Sequence, residues 1–471
     1  MKHNISRRSF LQKVAVGAAA ASFPYQIGKA GASVSRPNII FIMADDLGYG
    51  DIGCYGQKKF QTPNIDLIAT EGIRFTQCYA GSTICAPSRS VLMTGQHTGH
   101  TRIRGNMCTV GGSIGYKGKQ QVRRMYLTEE DQTVGNVLQK AGYKTCLIGK
   151  WHLGAYNPDA GPLDRGFDEF YGWLIRTGTT GGYYPPQRYR NRELYDVPGN
   201  ENNAKSYYEP DKCTQEAIEF LKNNNNRRFF LYLAYNSPHS PLEVPDLGPY
   251  TDEDWPAHIK TYAAMVYRLD QNIRKVMQTL KELNIDEKTI VFFCSDNGPR
   301  SEPTQQLTEV ADFFDSNGPL QGHKRDLYEG GIRVPMIVRW PGRVPAGKTS
   351  DFAWYFADFL STAAELAGTE TPKNIDGVSI VPVMLGKSED LGDRFLYWEY
   401  FEKGFQQAVR WRNFKAIRLK QGEPLLLFDL SEDIGEQNNV AEKHPEVISQ
   451  IEEYLKTART ESLNWPIKLE S

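Results

Sequence analysis

Short apolar runs alternate with amphipathic segments along most of this chain. The runs have the length of buried strands, whereas apolar residues in the other segments recur every three to four positions, as in helices that pack on a sheet. The alternation predicts an α/β fold in which helices flank a large mostly parallel or mixed sheet. The predicted strands are residues 38–43, 144–148, 229–235, 289–294 and 334–340, and the predicted helices begin near Asp131, contain Ala217 and cover residues 262–283.

The pattern changes after about Gly386, where short aromatic strands replace the longer apolar runs. Strand character is found in residues 395–401, 407–411, 414–419 and 425–429, and a final helix carries Val447, Ile451 and Leu455 on one face. We therefore predict a main α/β domain over residues 33–386 and a small antiparallel sheet with a helix over residues 387–471. Residues 176–211 are rich in Gly, Tyr, Pro and Asn, which predicts a long surface insertion of the kind that lines binding sites.

The first 32 residues have the composition of an export signal. They contain basic residues but neither Asp nor Glu, and Arg7 and Arg8 precede a segment of small apolar residues. This segment is too short for a membrane span, which takes about 20 residues. We predict a twin-arginine-type signal peptide over residues 1–32, a mature protein that begins near Ser33, and no stable membrane span.

The composition narrows the class of protein. The chain has 471 residues, of which 40% are hydrophobic and 24% charged, and this ordinary globular usage excludes a disordered or fibrous polymer. Its 55 basic residues nearly balance 56 acidic ones, so no global positive field favours nucleic acid as a partner. Seven cysteines without a C-x-x-C pattern are too sparse for a disulfide scaffold, and we expect most of the thiols to be buried and reduced.

Polar and charged side chains follow four of the predicted strands. Two of these strand ends carry oxygen donors: Asp45 and Asp46, and Asp296 and Asn297. The other two carry cationic or titratable groups: Lys150 and His152, and His239. Ligands bind beyond the carboxyl ends of the strands in an open α/β sheet, and carboxylates crowded at that edge are stabilised by a cation. Oxygen donors favour Ca²⁺ or Mg²⁺ over zinc.

One cysteine lies in a segment with several unusual neighbours. Cys85 is followed by Pro87, Ser88 and Arg89 and then by an apolar stretch that predicts the start of a helix. Proline is favoured at helix starts, and the free N–H groups there attract anions. A lone cysteine is more often an inert part of a core than a reactive group. The neighbouring residues and the helix start instead favour a functional role for Cys85.

Five motifs in order resemble those of the formylglycine-dependent sulfatases of the alkaline phosphatase superfamily. They are DDLGYGD at residues 45–51, CAPSR at 85–89, GKWHLG at 149–154, SDNG at 295–298, and GHK at 322–324 with EGGIRVP at 329–335. The segment that contains LFDL at residues 427–430 is similar to the family's C-terminal signature. The resemblance extends from about Arg36 to the C-terminus, and it implies the alkaline phosphatase-like fold for the predicted α/β domain.

The resemblance implies a mechanism for sulfate ester hydrolysis. In this family the cysteine of C-x-P-S-R, here Cys85, is oxidised before folding to formylglycine, whose aldehyde hydrates to a geminal diol. One diol oxygen, activated by the cation, attacks the sulfur and expels the alcohol, which leaves a covalent sulfated enzyme. The second hydroxyl, deprotonated by His152, then eliminates sulfate and restores the aldehyde.

The resemblance also implies roles for other residues. Arg89 and Lys150 are expected to hold the diol. His239 and Lys324 are expected to meet the sulfate and the leaving oxygen, with His239 as the general acid. A loop histidine and a solvated lysine are the plain alternatives for these two residues, and their places in the PHSP and GHK motifs disfavour both. The expected cation ligands are Asp45, Asp46, Cys85, Asp296 and Asn297.

The motifs say less about the residues that bind the sugar than about those that bind the cation and the sulfate. The candidate residues are Arg104, Asn106 and Trp173. The stretch between His97 and Thr128 contains basic residues and no acidic one, and it could guide a polyanionic glycan, although such a run is usually a solvated face. His97 and His100 have the spacing of a metal-binding pair, but no further ligand supports zinc, so substrate contact or plain loop structure is the better interpretation.

Together these patterns predict a bacterial sulfuric ester hydrolase, periplasmic or secreted, that acts on a sulfated carbohydrate of the galactose or N-acetylgalactosamine type. Its expected partners are this substrate, a cytoplasmic formylglycine-generating enzyme and the twin-arginine export machinery. Two alternatives remain open: a phosphomonoester or phosphonate ester hydrolase of the same superfamily, and a non-catalytic protein that binds sulfated glycans if Cys85 stays a thiol.

Overall fold

The computed structural model describes residues 36–467 apart from 118, 156–159, 176–180 and 389, so the predicted signal peptide, residues 1–32, lies outside the described residues. The helices are α1 (Pro63–Thr70), α2 (Cys85–Thr94), α3 (Val134–Lys140), α4 (Glu209–Asn224), α5 (Ala257–Glu282), α6 (Gln305–Phe314), α7 (Glu329–Ile332), α8 (Asp358–Ala367), α9 (Val381–Met384) and α10 (Pro445–Leu455). The strands are β1 (Asn38–Asp45), β2 (Ile73–Tyr79), β3 (Ser113–Lys117), β4 (Gln120–Arg124), β5 (Lys144–Lys150), β6 (Glu169–Trp173), β7 (Gln187–Arg190), β8 (Glu193–Asp196), β9 (Phe229–Pro238), β10 (Thr289–Ser295), β11 (Arg333–Arg339), β12 (Lys348–Ser350), β13 (Trp354–Tyr355), β14 (Phe395–Tyr400), β15 (Gln406–Trp411), β16 (Phe414–Arg418) and β17 (Leu426–Asp429).

The predicted apolar runs form the centre of a large mixed sheet. Its strand order is β12-β2-β11-β10-β1-β9-β5-β6-β7-β8, and β13 pairs with β2. Strands β10, β1, β9 and β5 run parallel to one another. Strand β11 runs antiparallel to β10, and β7 runs antiparallel to β6. The α/β class with a mostly parallel or mixed sheet is therefore confirmed.

Both faces of the sheet are covered by helices. Successive side chains of a strand point to opposite faces, so Ile40 and Phe41 in β1 pack into different layers. Ile40 is fully buried in the cluster that contains Leu269 of α5, whereas the ring of Phe41 lies 4.5 Å from that of Phe359 in α8. Full burial of one such side chain stabilises the folded state by about 1.5–3 kcal/mol. Because both faces of the central strands are buried, apolar residues occupy successive positions instead of alternating with polar ones.

The C-terminal part forms a separate antiparallel sheet of four strands, β14-β15-β16-β17. Helix α10 packs on it through Val447 and Ile451, which lie in one cluster with Val409 of β15. A small C-terminal antiparallel sheet with a helix is therefore confirmed. The boundary between residues 386 and 387 stays a prediction, since residues 36–471 cluster as one compact unit.

Two hairpins differ from the sequence expectation. In the described part of residues 176–211, β7 and β8 extend the edge of the large sheet, and Tyr183 and Tyr208 are buried. A short hairpin of β3 and β4 lies in the basic stretch after α2. Neither hairpin contains an apolar run, so hydrophobic periodicity did not mark them. No helix in the described part of the chain is both long and apolar enough to cross a membrane.

Candidate active site

The candidate site lies where the parallel strands end. Ala44 of β1 pairs with Ser295 of β10, so Asp45 and Asp296 leave the sheet at adjacent positions. On the other side of β1, Asp45 is in register with Pro238 of β9, which places His239 at the same edge. Lys150 is the last residue of β5, one strand further along the sheet. The residues expected from the strand ends thus meet at one edge.

Four oxygen-bearing side chains at this edge are buried: Asp45, Asp46, Asp296 and Asn297. Oδ1 of Asp45, Oδ2 of Asp46 and Oδ1 of Asn297 have no hydrogen-bond partner among the described residues. Ligand atoms of Asp45, Cys85 and Asp296 lie within 4.8 Å of one another, as do those of Asp45, Asp46 and His239. Buried oxygens without partners are costly unless they are compensated, and this donor set fits a hard divalent cation such as Ca²⁺ or Mg²⁺.

Cationic side chains surround the carboxylates. Lys150 Nζ lies 2.7 Å from Asp45 Oδ2, and Lys324 Nζ contacts Asp46 Oδ1. Burial alone would raise the pKa of Asp46, but Lys324 and then His239 hold it well below its usual value. Burial, followed by the charge of Asp45, instead raises the pKa of Asp296. A cation bound between these carboxylates would reduce the repulsion that contributes to the raised pKa of Asp296.

Cys85 is the first residue of α2, and every residue of this helix is buried. Oδ1 of Asn106 accepts a hydrogen bond of 3.0 Å from the backbone N–H of Ala86 and lies 3.7 Å from Sγ of Cys85. The hydroxyl of Ser88 donates to the backbone carbonyl of Asp296, over 2.5 Å, so it joins α2 to the end of β10. The helix start is thereby held directly beside the cluster of carboxylates.

His239 has a defined tautomer in the neutral state. Its Nδ1 lies 2.6 Å from the carbonyl oxygen of Ser240, which can only accept, so Nδ1 donates. Its Nε2 lies 3.6 Å from Oδ2 of Asp46. Nε2 is therefore the ring nitrogen that faces the carboxylates.

His152 also lines the pocket, and its backbone has a left-handed conformation with φ 63°. Nη1 of Arg124 lies 3.1 Å from its Nε2. Burial, followed by the charges of Lys150 and Arg124, lowers the pKa of His152 well below its usual value. His152 is therefore neutral at physiological pH, as a proton acceptor must be.

A pocket of about 240 Å³ opens onto these groups. The predicted site residues that line it are Asp45, Cys85, Asn106, Lys150, His152, Trp173, His239 and Lys324, whereas Asp46, Arg89, Asp296 and Asn297 lie buried beneath it. It is also lined by residues that were not predicted as site residues: Arg124, Gly182, Asn236, Arg300 and Arg325. Arg325 follows the GHK motif and has a φ of 78°, and such backbone strain often marks functional positions.

The structure does not bring Arg104 into this pocket. The guanidinium is buried, lies 3.0 Å from a carboxylate oxygen of Glu399 and donates to the carbonyl of Thr460. It therefore joins the segment after α2 to the C-terminal sheet, and we do not retain it as a sugar-binding residue. Trp173 does line the pocket, with the guanidinium of Arg188 stacked 4.8 Å from its ring.

His97 and His100 both lie close to Asp376, which was not predicted from the sequence as their partner. His100 Nδ1 lies 2.8 Å from Asp376 Oδ1, and the two imidazole rings stack at 4.3 Å. Nδ1 of His97 accepts a hydrogen bond from the backbone N–H of Gly99, so its proton is on Nε2, which faces Asp376 at 3.6 Å. A metal ion bound to Nε2 would require the imidazole proton on Nδ1, and that proton would then point at the backbone N–H of Gly99. The cluster thus fits the interpretation as loop structure.

All seven cysteines are unpaired, and six of them are buried, as expected for reduced thiols. Burial raises the pKa of the structural thiols at Cys78, Cys146, Cys213 and Cys294 well above the usual value. These four are therefore unreactive at physiological pH.

Comparison with known proteins agrees with the geometry. The chain matches the family described as Sulfatase over residues 37–369 and the family described as N-sulphoglucosamine sulphohydrolase, C-terminal, over residues 322–461. It is 33% identical to the N-acetylgalactosamine-6-sulfatase of Canis lupus familiaris over 409 residues, which cover 83% of this chain and 73% of that protein. It is 31% identical to arylsulfatase G of Rattus norvegicus over 467 residues, with 87% and 84% covered.

Solved structures share the fold. The crystal structure of Ps i-CgsB in complex with k-i-k-neocarrahexaose superposes with a TM-score of 0.76 at 31% identity and covers 90% of this chain and 93% of that chain. A phosphonate monoester hydrolase of Agrobacterium radiobacter has the same fold, with a TM-score of 0.64, 20% identity and coverage of 90% and 95%. The chain belongs to the sulfatase family, sulfuric ester hydrolases with the alkaline phosphatase-like fold.

Proposed function

We propose that this sulfatase removes sulfate from galactose or N-acetylgalactosamine units of a sulfated glycan. The proposed reaction uses formylglycine at position 85 and a divalent cation, which is Ca²⁺ with Mg²⁺ as the alternative. One observation carries the chemistry: ligand atoms of Asp45 and Asp296 lie within 4.8 Å of Sγ of Cys85 at the start of α2, at an edge where Asp45, Asp46 and Asn297 each have a buried oxygen without a hydrogen-bond partner among the described residues. The sugar class is supported by the relative named N-acetylgalactosamine-6-sulfatase and by the structural neighbour in complex with a neocarrahexaose.

Two groups absent from the polypeptide as translated would complete the site. Asp45, Asp46, Asp296, Asn297 and residue 85 would hold the cation, which supplies Lewis acidity at the nucleophilic oxygen and at the sulfate. Under this proposal, Sγ of Cys85 stands in for the diol oxygens that the hydrated aldehyde would carry at residue 85. That hydrate supplies the attacking oxygen and, through its second hydroxyl, a route for releasing sulfate.

The remaining residues act by charge, orientation and proton transfer. Arg89 and Lys150 both pair with Asp45, which has a ligand atom within 4.8 Å of Sγ of Cys85, so their positive charges favour an anionic oxygen at residue 85. Lys324 and His239 both contact Asp46 and line the pocket, so they face an incoming sulfate ester. His239 donates its Nε2 proton to the leaving oxygen, and the neutral His152 accepts a proton during sulfate release.

The pocket also supports a role for Asn106 and Trp173. Asn106 binds the start of α2 through its side chain, so it orients residue 85 as well as facing the substrate. Trp173 offers an apolar ring edge next to the cationic groups, which suits the mixed surface of a sulfated pyranose.

We further propose that the mature protein begins near Ser33 and is periplasmic or secreted after twin-arginine export. The support is the Arg7-Arg8 segment with its basic and apolar composition. Replacing Arg7 and Arg8 by Lys tests this: the precursor is expected to accumulate in the cytoplasm. Normal export of that variant would contradict the assignment.

The decisive experiment combines mass spectrometry with paired substrates. The protein is expressed with a formylglycine-generating enzyme, and the peptide that contains residue 85 is expected to carry the mass of formylglycine. The enzyme is then expected to hydrolyse an aryl sulfate faster than the matching aryl phosphate, and Cys85→Ala to hydrolyse neither. Faster phosphate cleavage would favour the phosphoester hydrolase, and unmodified, inactive protein that still binds sulfated glycan would favour a binding protein.

A panel of sulfated sugars then tests the substrate class. The 4-sulfates and 6-sulfates of galactose and N-acetylgalactosamine are compared with the 6-sulfate of N-acetylglucosamine, and released sulfate is measured. The galactose-type sugars are expected to give the higher kcat/KM. A preference for the glucosamine sulfate would overturn the sugar assignment while leaving the sulfatase chemistry intact.

A further inference from the structure

Arg124, on strand β4, connects two parts of the site. Its Nη1 donates to the backbone carbonyl of Asn106 at 2.9 Å and lies 3.1 Å from Nε2 of His152. The side chain of Asn106 in turn contacts the start of α2 at Ala86 and Cys85. The hairpin of β3 and β4 therefore holds His152 and the nucleophile segment through one continuous set of hydrogen bonds.

The chemistry of a guanidinium determines the state of the imidazole. Arginine has five N–H donors and no acceptor, so Nε2 of His152 must offer its lone pair to Nη1 of Arg124. A neutral imidazole has one proton, which is then on Nδ1. Nδ1 is buried and has no hydrogen-bond partner among the described residues, so no neighbour of the described chain favours the opposite tautomer.

We infer that Arg124 is a positioning residue that fixes the proton of His152 on Nδ1 and leaves Nε2 as its only basic nitrogen. Its catalytic consequence rests on the proposed function: in sulfate release, the proton of the second hydroxyl of residue 85 passes to Nε2, and the contact with Arg124 is given up. The guanidinium charge next to Nε2 also disfavours early protonation of His152 from solvent. Arg124 thus belongs to the second chemical step rather than to substrate binding.

Nitrogen-15 NMR of the histidine rings tests the tautomer directly. The chain has eight histidines, and His152→Gln identifies the resonances of His152 by their loss. The wild type is expected to show the Nδ1–H form of His152. Arg124→Leu, which can neither donate nor accept, is expected to shift His152 toward the Nε2–H form, whereas Arg124→Lys, which only donates, is expected to keep the wild-type form.

The matched control is Arg123→Leu. Arg123 is the neighbour of Arg124 on the same strand, and its guanidinium binds the carbonyl of Gly111 instead. This variant is expected to leave the His152 resonances unchanged. An Nε2–H form in the wild type, or an unchanged tautomer in a folded Arg124→Leu protein, would overturn the inference. The spectra need no formylglycine, so this result is independent of the proposed function.

Kinetics give a second readout that a purely structural role would not produce. Arg124→Leu is expected to lower kcat for an aryl sulfate by about 10- to 100-fold with little change in KM, and to show a burst of aryl alcohol because sulfate release becomes limiting. Arg124→Lys is expected to recover part of the loss. A rise in KM with unchanged kcat would assign Arg124 to substrate binding and contradict the inference.

Discussion

Arg89 binds Asp296 through two hydrogen bonds of 3.0 and 2.8 Å, and both side chains are fully buried. The pair joins α2 to the end of β10, so the helix that carries residue 85 and the strand that supplies two oxygen donors are linked by charge. Nη1 of Arg89 also donates to the backbone carbonyl of Lys150 at 3.1 Å. One guanidinium thereby joins the start of α2 to the ends of β10 and β5.

Arg89→Met is expected to destabilise the protein by about 3–5 kcal/mol, because it leaves the carboxylate of Asp296 buried without its partner. Urea unfolding measures the change. The control is Arg412→Met, which removes an exposed pair with Asp393 and is expected to cost at most about 1 kcal/mol. Equal effects of the two substitutions would contradict a structural role for the buried pair.

Removal of the proposed divalent cation is expected to abolish activity and lower the melting temperature. The oxygens of Asp45, Asp46 and Asn297 then lack compensation, and a ligand at 100 times its Kd stabilises the folded state by about 2.7 kcal/mol. Dialysis against a chelator, followed by titration of Ca²⁺ or Mg²⁺ in a thermal melt and an activity assay, measures both effects. A chelated enzyme with full activity would contradict the cation site, and stronger recovery with Mg²⁺ would reassign the ion.

A buried cluster of Lys415, Glu329 and Glu436 predicts a pH dependence of stability. Burial, together with the charge of Glu329, raises the pKa of Glu436 from 4.5 to about 7, whereas Lys415 and Arg333 lower that of Glu329 to about 2 against its burial. Glu436 binds its proton more tightly in the folded state than in the unfolded state. Its contribution to the free energy of unfolding is therefore present below about pH 4.5 and is lost as the pH rises to about 7.

This loss is expected to be at most about 3 kcal/mol. Urea unfolding at about pH 5 and about pH 7.5 measures it in the wild type and in Glu436→Gln. The variant removes the titrating group, so its stability is expected to fall less over this range. Asp51 and Asp270, whose pKa values burial raises to about 6, act in the same direction in both proteins, and the difference between the two proteins isolates Glu436. An identical pH slope in both would contradict the prediction.

Arg104 and Asn106 are expected to behave differently on substitution although they are close in sequence. Arg104→Met is expected to destabilise the fold by about 3 kcal/mol without changing KM, since Arg104 pairs with the buried Glu399. Asn106→Ala is expected to lower kcat by about 10-fold or more, because the start of α2 loses its anchor. Steady-state kinetics and urea unfolding of both variants measure these effects. A raised KM in Arg104→Met would restore it as a sugar-binding residue.

The sequence predicted the centre of the fold and the site at the strand ends because parallel strands are long, apolar and buried on both faces. Asp45 and Asp296 follow such strands, so their meeting follows from topology alone. The short polar strands β7 and β8 carry no such signal. The partner of Arg104, Glu399, is 295 positions away, and no local pattern reveals a pairing of that range. The role of Arg124 depends on one contact between a hairpin and a loop, which periodicity cannot predict.

The complete burial of α2 constrains when its first residue can be chemically altered. Cys85 is 4% exposed and lies at a pocket of about 240 Å³, which is far smaller than the volume of a modifying enzyme. If residue 85 is converted to formylglycine, as proposed, the oxidation is expected to take place on the nascent or still extended polypeptide, and a molecule that folds with the thiol intact is expected to stay inactive. Under that proposal, the active fraction of a preparation is decided during synthesis, by how quickly oxidation competes with chain collapse.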